Sequence, residues 1–375
     1  MSIRFQPMHP QPPNRRRFFG RTASALLSCG LLPAFSQGQT SKARLKFAVI
    51  GINHEHVFRM VEAVRQGGGE LAMIFAPDMD PNHGAKFLRE NSSVKVARTE
   101  AEVLESKDIS LIITAAKPAD RAAVGARAMR AGKDVLADKG GILSLAHLDG
   151  LRRIQAETKR IFSISYNERL LLPVSIKIDN LLQAGAIGKV THMKGLGPHG
   201  LYGHGPREDW FWTRAGRGGI LMDIGTHQAD QFLHYVGGEG AQVVTSGTGN
   251  FDNPGHPEFE DHGTVTWRSS AGAGQAMVSF HTGKSGGFVL ELTGTEGHML
   301  VRKHAGQIII TAKNGARKEY KVDPQTSCPF GHRLVDDILN RTETAMTQKH
   351  TFLTTELAVR AQLAAVKLAR KPEGA

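Results

Sequence analysis

An apolar run followed by the residues at 51–56 has the pattern of a phosphate-binding turn. From residue 47 the sequence reads F-A-V-I-G-I-N-H-E-H, which predicts a strand, a turn and the start of a helix. In that setting backbone N–H groups and a helix N-terminus can hold a pyrophosphate. Of the spacing G-x-G-x-x-G only Gly51 is present, while Asn53, which can adopt a left-handed turn conformation, and His56 take the other two places. The pattern fits dinucleotide binding or an ordinary buried turn.

An acidic residue that hydrogen-bonds the ribose of a dinucleotide is expected about 20 to 25 residues beyond such a turn. Ala76 occupies that place, and Asp78 follows two residues later. Either Asp78 binds the ribose, or the cofactor carries a 2′-phosphate, or the cofactor binds weakly.

Metal chemistry is a second possibility. The histidines that could ligate a metal in a lyase or hydrolase are His54, His56, His199 and His204. None of them stands in an H-E-x-x-H or comparable spacing. Of the two cysteines only Cys328 lies beyond residue 36, so neither a thiolate zinc site nor an intrachain disulfide is expected. We therefore predict no bound metal.

Strands and helices alternate between residues 43 and 165. Short β-branched runs at 45–50, 71–75, 94–97, 110–115, 134–137 and 161–165 are separated by helical patterns. This alternation predicts a parallel sheet with helices on both faces, which is a nucleotide-binding type of α/β fold.

The pattern changes in residues 166–375. A helix at 174–184, glycine-rich loops and a helix starting near 223 precede strands at 242–247, 263–268, 275–281, 288–293, 298–302 and 307–311. Consecutive strands with short turns predict an open, mainly antiparallel sheet. Two last helices are predicted at 333–340 and 351–370. Because an apolar sheet face of this kind commonly associates, we expect a homo-oligomer.

Three segments resemble the Gfo/Idh/MocA family, the group of glucose-fructose oxidoreductase and inositol dehydrogenase. Residues 131–140, A-G-K-D-V-L-A-D-K-G, are similar to the family pattern A-G-K-x-V-x-x-E-K-P. Residues 219–227, G-I-L-M-D-I-G-T-H, are similar to G-x-x-x-D-x-G-x-H, and residues 185–190 are similar to G-x-I-G-x-V. The resemblance implies an N-terminal Rossmann domain, here 43–165, and a C-terminal α/β domain, here 166–375.

The resemblance also implies a catalytic set of Lys139, Asp223 and His227. A lysine at the carboxyl end of a sheet strand can polarise a substrate hydroxyl or stabilise an alkoxide. Asp223 and His227, four residues apart at a predicted helix start, would share one face and relay a proton. Without the resemblance, Asp223 is better explained as a helix N-cap and His227 as a helix-buried imidazole bonded locally.

The same resemblance implies NAD or NADP as the cofactor. The residues expected to bind it are Gly51, Asn53, His54, Asp78, Ala115, Asp138 and Lys139. Two positions depart from the family pattern: Asp138 replaces a glutamate, and Gly140 replaces the proline that would fix the strand exit.

A glycine-rich segment should cover the substrate. Its sequence resembles a subgroup of the family at residues 197–199, G-P-H, and 209–212, D-W-F-W. We expect His199, Tyr202 and Trp210 to bind substrate, because aromatic planes stack on sugar C–H faces and imidazoles bond hydroxyls. A purely structural loop explains these residues almost as well.

The first 36 residues resemble a twin-arginine signal. Arg15, Arg16 and Arg17 precede two phenylalanines, a weakly apolar run at 23–32 and small residues at 34 and 36. Five bases and no acid lie in this segment, so 12 − 5 leaves a modest excess of +7 on the other 339 residues, and the charge does not indicate nucleic acid. We expect export through the twin-arginine translocase to the periplasm, and no membrane span.

These features predict an NAD(P)-dependent oxidoreductase that acts on a carbohydrate or polyol. Because the periplasm has no nicotinamide pool, the cofactor should be tightly bound and recycled by a second substrate. One alternative is a hydrolase or lyase that uses bound nicotinamide in a closed redox cycle. Another is a non-catalytic periplasmic binding protein.

Overall fold

The computed structural model describes residues 43–201, 207–281 and 287–368. The predicted signal at 1–36 and the predicted substrate residue Tyr202 lie outside these ranges. Two sheets organise the described chain, and we call the part up to residue 165 the first lobe and the part from residue 166 the second lobe.

The first lobe is a parallel sheet of six strands in the order β3-β2-β1-β4-β5-β6. Its strands are β1 (Leu45–Ile52), β2 (Gly69–Phe75), β3 (Lys95–Val96), β4 (Ile109–Ala115), β5 (Asp134–Asp138) and β6 (Phe162–Ser165). Its helices are α1 (His56–Gln66), α2 (His83–Glu90), α3 (Glu100–Leu104), α4 (Pro118–Arg130) and α5 (Leu145–Thr158). The order reverses between β1 and β4, and ligands of such sheets bind at that point. The predicted Rossmann-type architecture is confirmed.

The local sequence explains why these strands are buried and where these helices begin. The strand β4 is apolar and buried along nearly its whole length because helices cover both faces of a parallel sheet. Helix α3 begins where the Thr99 side chain accepts the Glu102 N–H, and α5 begins where Ser144 accepts the His147 N–H. Helix α4 starts with Pro118, which needs no N–H partner there.

The second lobe is a nine-stranded sheet in the order β14-β13-β12-β11-β7-β10-β9-β8-β15. Its strands are β7 (Val190–Gly200), β8 (Gln242–Gly249), β9 (His262–Arg268), β10 (Ala273–His281), β11 (Val289–Gly294), β12 (Gly297–Arg302), β13 (Gln307–Ala312), β14 (Arg317–Lys321) and β15 (Val366–Leu368). Its helices are α6 (Asn167–Leu170), α7 (Pro173–Gln183), α8 (Asp209–Trp212), α9 (Arg214–Arg217), α10 (Ile220–Asp223), α11 (Gly225–Tyr235), α12 (Phe330–Asn340) and α13 (Gln348–Ala364). Only the pairs β7·β10 and β8·β15 are parallel, so the sheet is mainly antiparallel, as predicted.

The central strand β7 was not predicted, because its second half reads as a glycine-rich loop. Gly195 and Gly197 lie against helix α11, where a Cβ on Gly197 would come within 3.4 Å of both Val278 and Gln228. These glycines therefore let the helix approach the sheet closely.

The last predicted helix, at 351–370, is wrong beyond Ala364. Residues Val366–Leu368 instead form β15, which pairs with the edge strand β8 in parallel register. The structure also places the start of this helix earlier, where the Thr347 side chain accepts the His350 N–H.

Helix α12 is part of the second lobe by its position in the chain, but it packs into the apolar core of the first lobe. Phe330, Leu334 and Val335 are buried in the same apolar cluster as Phe47 and Val64. The second lobe has a separate apolar cluster built on α11 and the nine-stranded sheet. Among the described residues no helix is both long and apolar enough to cross a bilayer.

Candidate active site

Lys139 follows β5 at the carboxyl edge of the parallel sheet and reaches the second lobe. Its ammonium donates a hydrogen bond to the Asp223 carboxylate, and both side chains are buried. Gly140 next to it has φ of +65°, a left-handed conformation that the family's proline could not adopt. The strand exit thus differs in its backbone from the family pattern, yet Lys139 contacts the aspartate that the resemblance indicated.

Arg217 gives Asp223 a second cation. Arg217 is fully buried, its Nη1 lies 3.5 Å from Asp223 Oδ2, and its guanidinium lies 4.4 Å from the centre of the Phe259 ring. Burial alone would raise the pKa of Asp223, but the charges of Lys139 and Arg217 lower it below its usual range. We call Lys139, Asp223 and Arg217 the Lys139 cluster, which holds a carboxylate ionised between two cations.

His227 lies in the first turn of α11, close to this cluster. The expectation that Asp223 and His227 share one helix is wrong, because α10 ends at Asp223 and α11 begins at Gly225. Asp223 caps neither helix, since Gly219 and Ile224 hold those positions. Burial, with the Lys139 charge adding to it, holds the pKa of His227 well below its usual value. Its buried Nδ1 has no hydrogen-bond partner among the described residues, so this neutral imidazole keeps an unused nitrogen.

His199 lies on β7 and belongs to the same neighbourhood. Its Nδ1 lies 3.1 Å from the Gly197 carbonyl, and its ring packs 4.9 Å from that of Phe288, centre to centre. Burial, followed by the nearby Lys139 charge, lowers the pKa of His199 to about 3. The imidazole is therefore neutral at neutral pH.

Asp138, the neighbour of Lys139, sits in a second charged cluster. Its carboxylate is fully buried, with His56 Nδ1 2.8 Å from Oδ1 and both His54 Nδ1 and Arg121 Nη2 3.1 Å from Oδ2. Burial alone would raise the pKa of Asp138, but Arg121 and the two imidazoles hold it well below its usual range. Burial lowers the pKa of His54 to about 3, so His54 contacts Asp138 as a neutral ring. We call His54, His56, Arg121 and Asp138 the Asp138 cluster.

The turn between β1 and α1 brings several predicted cofactor residues together. Gly51 has φ of +80°, and a Cβ there would lie 2.9 Å from the Ala116 Cα, so only glycine fits. Asn53 does not adopt the expected left-handed conformation, since Lys159 and Arg341 are the only described residues besides glycines with positive φ. Its N–H donates instead to the Ala115 carbonyl at 2.8 Å.

The acidic residue after β2 differs from the expectation. The Asp78 side chain is exposed, and its carbonyl accepts a hydrogen bond from Asn53 Nδ2 at 2.6 Å. Asp80, which the sequence analysis did not single out, is buried and accepts the N–H groups of Asn82 and His83 at the start of α2. Its carboxylate therefore serves the backbone of this loop.

Trp210 covers this turn from the second lobe. A cavity of about 20 Å³ is enclosed here by residues of the two lobes, namely Asn53, His54, Glu55, Asp80, His83, Arg207, Glu208, Trp210 and Phe211. The Trp210 indole donates to Glu208 at 2.5 Å. Trp210 thus borders the predicted cofactor turn, whereas His199 borders the Lys139 cluster.

Two arginines of the site were missed by sequence reasoning. Arg121 donates to the carbonyls of Ala116 and Lys139 as well as contacting Asp138, and it therefore fixes the backbone on either side of the site. A charged residue on the otherwise apolar face of α4 was the available signal for Arg121. For Arg217 the only signal was its place six residues before Asp223.

The combined geometry can handle a proton and a developing negative charge. Lys139 presents a buried cation, and His199 and His227 are neutral imidazoles beside it. Such a group can stabilise an alkoxide while an imidazole accepts a proton.

Residues 176–300 match a family model described as the GFO/IDH/MocA C-terminal domain. A proposed oxidoreductase from Erwinia carotovora atroseptica is 35% identical, with 87% of this chain and 100% of that chain covered and a TM-score of 0.82. No curated protein matches the chain.

Two more distant structures share the fold. Biliverdin reductase from Synechocystis, in complex with biliverdin and NADP+, is 16% identical with a TM-score of 0.70, covering 86% of this chain and 99% of that chain. The 3-ketoreductase KijD10 from Actinomadura kijaniata, in complex with NADP and TDP-benzene, is 16% identical with a TM-score of 0.70, covering 86% and 98%. From the domain match and the 35% identity over the whole of the Erwinia protein, we conclude that the chain belongs to the GFO/IDH/MocA family.

Proposed function

We propose that the protein is an NAD(P)-dependent oxidoreductase that acts on a CH–OH group of a carbohydrate or polyol. The observation that carries this proposal is the buried contact between Lys139 of the first lobe and Asp223 of the second, at the carboxyl edge of the parallel sheet. Two relatives in fold, biliverdin reductase and the 3-ketoreductase, bind NADP, which supports the same cofactor class here.

The residues around the β1–α1 turn fit a dinucleotide in part. The strand order and the left-handed Gly51 are those of a phosphate-binding turn, and Asn53 and His54 would line it. Residues of the segment from Arg207 to Phe211 line the cavity above the turn, whose volume is about 20 Å³. We propose that this segment moves away from the turn when a dinucleotide binds.

This movement has an optical signature. Trp210 lines the cavity, so NADP+ or NADPH should change the tryptophan fluorescence of the protein. The Trp210→Phe variant should lose most of that change. Trp267→Phe is the matched control, because Trp267 stacks on Phe232 in the core of the second lobe.

The chain's own groups would divide the chemistry as follows. When bound, the nicotinamide exchanges a hydride with the substrate carbon. Lys139 would donate a hydrogen bond to the substrate oxygen and stabilise its negative charge. Asp223, itself held by Arg217, orients that ammonium. His227, neutral because of its burial, would take the hydroxyl proton, and His199 would bind a further hydroxyl. For Tyr202 a substrate contact remains a prediction.

We also propose that the protein is exported by the twin-arginine translocase and works in the periplasm. Export in the folded state would let the chain carry its cofactor with it. The support is the arginine-rich segment at 15–17 followed by a weakly apolar run. Fractionation of cells that express the chain, with Arg15 and Arg16 changed to lysine as the comparison, tests this.

Self-association through the nine-stranded sheet is a further part of the proposal. Leu196 and Met277 on neighbouring strands are 41% and 44% exposed, which is high for large apolar side chains. A second copy of the chain would cover them. Light scattering should give an oligomeric mass for the wild type and a lower mass for Met277→Lys.

Mass spectrometry of small molecules released on denaturation tests the cofactor directly. We expect NAD(H) or NADP(H) from the wild type and a strong loss in Gly51→Ala, where the new Cβ would meet Ala116. Gly132→Ala is the matched control, because Gly132 also has a positive φ, +78°, but its Cβ would enter open space. Release of no dinucleotide, together with no binding of added NADP+, would support a binding protein instead.

Nicotinamide absorbance distinguishes an oxidoreductase from an enzyme that uses bound nicotinamide in a closed redox cycle. When a sugar is added, a lasting increase in the absorbance of the reduced cofactor indicates net oxidation of the sugar. A transient increase indicates a closed cycle. Lys139→Met should slow the absorbance change about 100-fold or more, the scale found when one charge-stabilising donor is removed.

A further inference from the structure

The Asp138 cluster contains two imidazole nitrogens and a carboxylate that converge. His54, His56 and Asp138 each offer one ligand atom, and these three atoms all lie within 4.8 Å of one another. The Nδ1 atoms of His54 and His56 are also 3.1 and 2.8 Å from the Asp138 carboxylate oxygens. Ligand atoms that share one ion at about 2.0–2.2 Å lie roughly this far apart, so small ring rotations would let these three atoms coordinate one ion.

The two oxygens of the Asp138 carboxylate are held differently. Oδ2 is fully buried and has the Arg121 guanidinium and His54 Nδ1 at 3.1 Å, but it accepts no hydrogen bond of good geometry from the described residues. An oxygen held by ion-pair contacts of this kind can turn to a metal ion without giving up a well-formed hydrogen bond. Oδ1, in contrast, accepts the Lys139 N–H at 2.8 Å.

We infer that His54, His56 and Asp138 form a binding site for one divalent first-row metal ion, with Zn²⁺ as the best-matched ion. Two imidazoles and one carboxylate are a ligand set that suits Zn²⁺ and Fe²⁺, and they leave at least one coordination position for water or a ligand. His54 would also line the proposed dinucleotide turn, but metal binding is measured without cofactor or substrate, so its outcome is independent of the proposed oxidoreductase function.

Arg121 is the group that opposes metal binding. Its Nη2 lies 3.1 Å from Asp138 Oδ2, and its other nitrogens donate to the carbonyls of Ala116 and Lys139, so it stays beside the site. The guanidinium charge will weaken the affinity without occupying a ligand position of either histidine. Arg121→Met would remove this repulsion but also a buried ion pair, so the test uses the histidines.

The location gives the ion a definite structural effect. His54 and His56 lie at the turn between β1 and α1, and Asp138 ends β5, so a shared ion would tie the turn to that strand. Metal binding to the native chain should therefore raise its melting temperature.

Calorimetric titration of Zn²⁺ into the full chain, without a histidine tag and after chelator treatment, tests the site. We expect one equivalent to bind to the wild type and the affinity to fall at least tenfold in His54→Gln and in His56→Gln. His298→Gln, which changes an exposed histidine on β12, is the matched control and should bind like the wild type.

Thermal unfolding with and without Zn²⁺ provides a second readout that also checks the folding of each variant. The melting temperature should rise on adding Zn²⁺ to the wild type and to His298→Gln, but not to His56→Gln. The inference is overturned if the wild type binds no Zn²⁺, or if the folded variants His54→Gln and His56→Gln bind it as tightly as the wild type does.

Discussion

Asp138 and Lys139 are neighbours in sequence, but they belong to charged clusters of different construction. The partners of Asp138 all come from the first lobe, and they enclose one carboxylate with a guanidinium and two imidazoles. Lys139 instead reaches across to Asp223, 84 residues further along the chain, where Arg217 supplies a second cation.

This difference assigns a structural role to the Asp138 cluster and a chemical role to the Lys139 cluster. In the Asp138 cluster a single buried carboxylate depends on Arg121, and the pair also fixes the backbone around it. In the Lys139 cluster the Asp223 carboxylate still has Arg217 beside it when Lys139 binds a substrate. We therefore expect the first cluster to dominate stability and the second to be available to a substrate.

The largest effect on stability should come from Arg121→Met. Removing one partner of a buried ion pair leaves the other charge uncompensated, so we expect the free energy of unfolding to fall by about 3–5 kcal/mol. Urea unfolding measures this. Arg127→Met on the same helix is the control, because its pair with Glu100 is largely exposed and should contribute about 1 kcal/mol or less. Equal losses in both variants would contradict the anchoring role.

Acid should destabilise the protein through His54 of the Asp138 cluster and through His199 and His227 beside the Lys139 cluster. The folded-state pKa of His54, His199 and His227 lies below the ordinary value, so the unfolded chain takes up these protons first as the pH falls through about 6.5. The contribution of these neutral imidazoles to the free energy of unfolding is present above that pH. The free energy of unfolding should fall by about 4 kcal/mol in total between pH 7.5 and 5.5.

Urea unfolding at these two pH values measures the loss, and variants assign it. His227→Gln should reduce the difference by about 1.3 kcal/mol, the share of one histidine. His298→Gln should leave it unchanged. A wild type equally stable at both values would show that these imidazoles take up protons as readily in the folded chain as in the unfolded one.

Lys139→Met should be less destabilising than Arg121→Met. Asp223 retains Arg217, so we expect a loss of about 1–3 kcal/mol, the range for an unmet buried hydrogen bond. Urea unfolding of the two variants side by side gives the ratio. If Lys139→Met loses as much as Arg121→Met, the contrast between the clusters fails.

The smallest effect concerns the residue that follows both clusters. Gly140→Ala should cost about 1–2 kcal/mol, because Gly140 has a left-handed φ of +65° and its nearest new contact would be an ordinary 3.5 Å. In Gly150→Ala, in helix α5, the new Cβ enters open space, so this change should instead stabilise by about 0.5–1 kcal/mol. Thermal unfolding distinguishes the two signs, and a stabilising Gly140→Ala would exclude a backbone role.

Sequence periodicity was sufficient for the first lobe because its strands are locally encoded. Buried parallel strands are short β-branched runs, and each of the six predicted runs corresponds to a strand. Strand β7 was not predicted because Gly195 and Gly197 make its sequence look like a loop. These glycines are explained by the close approach of α11, a tertiary contact that the local sequence does not show. The strand β15 similarly depends on pairing with β8.

The site residues that belong to a sequence motif were predictable, whereas those that are brought together only by packing were not. The resemblance pointed to Lys139 and Asp223, which the structure brings into contact. Nothing in the spacing of His56 and Asp138, 82 residues apart, indicates that they meet. Likewise a fully buried Arg217 is indistinguishable in sequence from a solvated one.

The position of α12 has a consequence for the order of folding. Phe330, Leu334 and Val335 close the apolar core beside α1, and Phe352 from α13 joins them. During synthesis, the N-terminal 165 residues would therefore leave the ribosome with an open apolar seam that is sealed only when nearly the whole chain has been made. Folding of this half should consequently be post-translational and of high contact order, and a fragment ending at residue 165 should aggregate.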